Sequence, residues 1–142
     1  MANKINGITA LENHVRDLIN RACDIVSEKV RLKLEEHIKD DYYAQYTPLF
    51  YERTNAFLQS AAKFQLVNKS GISFRVYIDT SGMDYGHFSP EAMLGLAAEG
   101  YHGSHNIQTS GRFWDDFLKE CNEEYLKKEL KQALNSVGLK IK

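Results

Sequence analysis

Residues 61–79 read AAKFQLVNKSGISFRVYID, and this stretch decides the fold class. Ala62, Phe64 and Leu66 alternate with Lys63, Gln65 and Val67; after Asn68-Lys69-Ser70-Gly71, Ile72, Phe74, Val76 and Ile78 alternate with Ser73, Arg75, Tyr77 and Asp79. Period-two alternation of β-branched and aromatic residues around an Asn/Gly turn predicts a half-buried antiparallel hairpin over 61–79, its apolar positions gathered on one face. A lone hairpin is marginal in water and needs cover across that face. The helical segments on either side are the obvious cover, so the class is α+β: a small antiparallel sheet packed by a long N-terminal and a long C-terminal helix.

Upstream, the pattern over 9–40 is helical. Ile8, Leu11, Val15, Leu18, Ile19, Ala22, Ile25, Val26 and Val30 recur at steps of three and four, with no proline or glycine inside. Leu34 and Ile38 rotate away from this stripe, which leaves two readings open. Either the far end of one long helix faces a different partner, such as another subunit, or the helix breaks near residue 30 and both halves lie on one core. Downstream, residues 80–100 hold a loop and a short helix that Ser89 caps, with Pro90 in its first turn and Gly100 beyond its end. A second loop, 101–111, leads into a C-terminal helix over 112–137 that carries Phe113, Trp114, Phe117, Leu118, Cys121, Tyr125, Leu126, Leu130 and Leu134 and closes at Gly138. Leu139 to Ile141 is a candidate terminal strand.

Bulk numbers narrow the function. At 142 residues the chain reads as a single domain, large enough to bury roughly 68–70% of its unfolded surface without disulfides or metal. A formal net charge of −1 predicts no generic pull toward nucleic acid or anionic membrane. The N-terminus has no apolar core of a signal peptide, and no apolar run approaches the ~20 residues that span a bilayer. Cys23 and Cys121 read as small buried side chains in a reducing compartment, and the chain as cytoplasmic.

Candidate chemistry is sparse. Asp79, Asp84, His87, His102 and His105, with Asp115 and Asp116 beyond, are residue types that bind divalent metals. They lie mostly in glycine-rich loops, where spacing fixes no common direction, and they also read as loop polars and turn formers. A small metal-dependent enzyme using His87, His102 and His105 is therefore the rival reading, and a non-virion regulatory binding protein a third. The favoured expectation is no catalytic residue, no cofactor and no metal. Attention falls on the connector 42–60, YYAQYTPLFYERTNAFLQS, which joins the first helix to the hairpin. Tyr42, Tyr43, Tyr46, Tyr51 and Arg53 there suit an interface or a structural clamp, since tyrosine is enriched at interfaces and a guanidinium stacks on its ring.

The run Tyr43-x-x-Tyr46-x-Pro48-x-x-Tyr51-x-Arg53-Thr54, then Leu58, Ser60 and the hairpin, resembles small virion proteins of long-tailed bacteriophages, in the head–tail joining and tail-completion group. Gly100-Tyr101-His102-Gly103 and Gly111-Arg112-Phe113-Trp114 are similar too, so the resemblance covers about residues 42 to 118. It implies a non-enzymatic neck or upper-tail subunit that forms closed rings between connector and tail proteins. The location it implies is the virion, and the host cytoplasm during assembly. It also implies that loops 80–88 and 101–111 order on assembly.

Overall fold

The computed structural model describes residues 5–45, 56–83, 89–99, 101–102, 107–108 and 112–141. Helix α1 (Ile8–His37) starts after Gly7, whose φ of +89° suits a residue without Cβ, and its ladder runs unbroken past residue 30. Ala22, Val26, Val30 and Leu34 are buried along it, and Ile38 extends the line into a single turn of π-helix, Ile38–Tyr42. The expected rotation after Val30 is therefore corrected. A step of four advances slightly more than one turn, so a buried line of such steps drifts slowly around the helix, and the neighbouring elements drift with it. The opposite end is the one that leaves the core, with Ile8 77% and Leu11 50% exposed.

Strands β1 (Ala61–Asn68) and β2 (Gly71–Ile78) form the expected antiparallel hairpin, with Asn68 opposite Gly71 and Ala61 opposite Ile78. Asn68 builds the turn itself, its Oδ1 accepting from the backbone N–H groups of Ser70 and Gly71, each at 3.0 Å. The assignment of faces differs from the sequence reading. Phe64 stands opposite Arg75 and Leu66 opposite Ser73, while Phe74 and Val76 stand opposite Gln65 and Lys63. Cross-strand partners share a face, so Ala62, Phe64 and Leu66 lie on the side away from Phe74, Val76 and Ile78. Two of the inward positions of β1 beyond Ala61, Lys63 and Gln65, are polar, and their tips reach α1: Lys63 Nζ lies 2.8 Å from Asp24 Oδ1, and Gln65 Nε2 donates to the Asn20 carbonyl at 2.9 Å.

Helix α2 (Pro90–Ala98) is capped as the sequence predicts, with Ser89 Oγ accepting from Ala92 N–H at 3.2 Å. Two-residue strands β3 (Tyr101–His102) and β4 (Ile107–Gln108) form a second antiparallel pair. The C-terminal segment is not one helix. It divides into α3 (Phe113–Glu120) and α4 (Glu123–Ser136), because Asn122 takes an extended ψ of 178° and its Oδ1 caps the Tyr125 N–H at 3.0 Å. Gly138, at φ +105°, closes α4 with a Schellman pair of bonds, Leu139 N–H to Leu134 O and Gly138 N–H to Asn135 O. Leu139–Ile141 form no strand; the Ile141 N–H donates to Asn135 Oδ1. The core joins the α1 line to Phe57, Ala61, Met83, Ala97, Phe113, Phe117 and Ala133.

Candidate functional site: the aromatic junction and the open hairpin face

The junction where α1 ends is built from aromatic rings. Tyr42 and Tyr43 meet edge to face at 5.4 Å, Tyr42 meets Phe57 at 5.1 Å, and Phe57 meets Phe113 at 5.2 Å. Trp114 and Phe117 follow at 5.5 Å, so one continuous series of rings ties the π turn to α3. Such contacts contribute about 0.5–1.5 kcal/mol each beyond area burial. Tyr43 Oη also accepts from the Leu58 N–H at 3.3 Å, fixing the entry into β1. Of the connector residues singled out in the sequence, Tyr42 and Tyr43 thus enter this junction. Tyr46, Tyr51 and Arg53 lie outside the described residues.

A cluster of ionisable groups borders the rings, and nothing in the sequence reading pointed to it. His37 Nδ1 lies 2.6 Å from Asp41 Oδ2, and Nε2 lies 2.5 Å from Glu120 Oε2. Lys33 Nζ reaches the other oxygen of Glu120 at 2.8 Å. Burial disfavours charge on the imidazole, but hydrogen bonds to Asp41 and Glu120 outweigh it and hold the His37 pKa above its ordinary value. Glu120 is held low chiefly by Lys33; burial opposes this, and the His37 hydrogen bond adds to the lowering. Asp41 is raised by burial, the His37 bond opposing and the hydrogen bond with Asp116 reinforcing the rise. The i,i+4 spacing of His37 and Asp41 was a readable signal; Glu120, far along the chain, was not.

The enzyme-like residues are scattered. Asp79 follows β2 and accepts from the Ser81 N–H at 3.0 Å as a turn former, and Asp115 lies 3.9 Å from Arg112. His102 belongs to β3, whereas Asp84, His87 and His105 lie outside the described residues. Among the described residues no group of three or more histidine, cysteine or acidic side chains is arranged to hold a metal ion. Cys23 and Cys121 are free thiols, and burial pushes Cys121 up to about 11. Among the described residues no helix is long and apolar enough to cross a membrane.

The outer face of the hairpin is the other unusual surface. Phe64 is 56% exposed, Leu66 48% and Tyr77 41%, with Arg75 set between them. At the far end of α1, Leu11, Val15 and Ile19 form the floor of an open groove of about 450 Å³, walled by the hairpin turn at Ser70–Ile72.

No curated protein and no solved structure matches the chain. A family model does, over residues 6–136, and its name is of the phage-related, prophage kind. The chain belongs to the YomN family and is a phage-associated protein.

Proposed function

We propose that the protein is a non-enzymatic structural subunit of the phage virion, of the head–tail joining or tail-completion type, that acts by assembling with identical copies into a ring. The observation that carries this reading is the outer face of the hairpin. A strand pair that covers one apolar face with α1 and leaves Phe64, Leu66 and Tyr77 exposed on the other carries a surface with more aromatic area than solubility favours. Such a face suits burial against another chain, and a ring buries it in every copy through a heterologous contact that closes by rotation. Family membership supports the phage context, and connector or tail proteins are the neighbours this reading implies. The protein then resides in the virion, and in the host cytoplasm before assembly.

The test is the solution mass of the purified protein over a concentration series, together with protein identification in purified particles. A discrete closed oligomer, or the chain in stoichiometric amounts within particles, supports the reading. A monomer at every concentration that is also missing from particles overturns it.

A further inference from the structure

His37 sits between two carboxylates contributed by different elements, Asp41 of the π turn and Glu120 of the last turn of α3. A neutral imidazole donates from one nitrogen and presents a lone pair at the other; only the imidazolium donates from both. The ring's two contacts are therefore complementary to its charged form. The ring also lies edge-on to Phe117 of α3, at 6.5 Å. A π turn is an uncommon departure from the α-helical ladder and recurs at functional sites, and here it carries one of the two partners of the histidine.

We propose that His37 is a proton-operated latch: its protonated ring ties the π turn to the end of α3, and its deprotonation as the pH rises loosens α3 from α1. The other charged and titratable groups at this junction fit that role. From α1, Lys33 holds Glu120 and is itself shared with Glu36 at 3.1 Å. From α3, Asp116 acts on Asp41 and raises its pKa, so a second acid stands behind the ring's Asp41 partner. The Cys121 thiol and the Tyr125 phenol have raised pKa values, burial being the first cause in each and the charge of Glu120 a further one. Loss of the His37 proton turns one ring lone pair toward a carboxylate and removes one of the cations that offset the acids.

The sign follows from the raised pKa of the folded histidine. The stability His37 adds is fully present below its ordinary value near 6.5 and is lost as the pH rises through the higher folded value. The latch is thus closed in mild acid and opens as the pH rises through the folded value. It is a property of the fold and stands or falls separately from ring assembly.

Trp114, the single tryptophan, packs on Phe117 and reports on the seating of α3. The experiment follows Trp114 emission and the exchange protection factors of α3 amides from about pH 5.5 to about pH 9, with the His37 ring titrated by NMR. The expected result is an emission change centred above the ordinary histidine value, with a several-fold loss of protection in α3 but not in the middle of α1. His37→Gln removes the transition, and Glu120→Gln moves its midpoint down, because the ring loses a charged partner. The latch is overturned by α3 protection that does not vary with pH, by an unchanged transition in His37→Gln, or by a His37 pKa at or below the ordinary value. If His37→Gln does not fold, the direct titration and Glu120→Gln decide.

Discussion

Phe64 and Arg75 face each other across the hairpin on the side turned away from α1. The pairing puts both residues on the exposed face of the sheet, where neither contributes to the core. Replacing both Phe64 and Leu66 by threonine puts a residue of high strand propensity at each position, so folding stability should change by less than about 1 kcal/mol. Self-association or incorporation into particles should fall sharply. Denaturant unfolding of the variant beside light scattering separates these effects, and a large stability loss would show that the face is covered within the single chain.

That same pairing marks the limit of what the sequence conveyed. The alternation and the turn were both legible, and the hairpin lies where they placed it. Grouping Phe64 and Leu66 with Phe74 and Val76 relied on apolarity alone. The turn already carried the correction: once Asn68 stands opposite Gly71, even-numbered residues of β1 share a face with odd-numbered residues of β2. Lys63 and Gln65 can occupy the inner face because long side chains bury their stems while their polar tips reach Asp24 and Asn20.

The α1 line gives a second prediction. Leu34 is fully buried between Val30 and Ile38, although Leu34 and Ile38 were the positions expected to leave the stripe. Leu34→Ala should therefore cost about 2–5 kcal/mol in urea unfolding. Leu11→Ala, at the exposed end of the same helix, should cost far less in the isolated protein. Similar losses at both sites would contradict the continuous core line.

The division of the C-terminal segment turns on one side chain. Asn122 has no glycine or proline beside it, and the apolar periodicity runs through it unbroken, so helical period alone could not reveal the break. Its amide competes with the backbone and caps α4 at Tyr125. Asn122→Ala should cost about 0.5–2 kcal/mol, while Asn122→Asp, which keeps an acceptor oxygen, should be near neutral. Thermal unfolding of the pair checks it; equal losses would mean that the cap contributes little to the helix start.

Glu120 predicts behaviour on the acid side. Its carboxylate is held below the ordinary value near 4.5, by Lys33 first and His37 second. A depressed folded pKa contributes stability that is complete above the unfolded value and is lost as the pH falls through the folded one. Glu28, lowered mainly by its hydrogen bond to Arg31, acts in the same direction, whereas Asp41, raised by burial, acts in the opposite one. Glu120→Gln should therefore flatten, without abolishing, the decline in the urea midpoint between about pH 5 and about pH 3. It should also destabilise the protein above that range, where the native carboxylate is ionised and the amide offers Lys33 and His37 no charge. An unchanged acid limb in the variant would mean that the Lys33–Glu120–His37 contacts do not persist in solution.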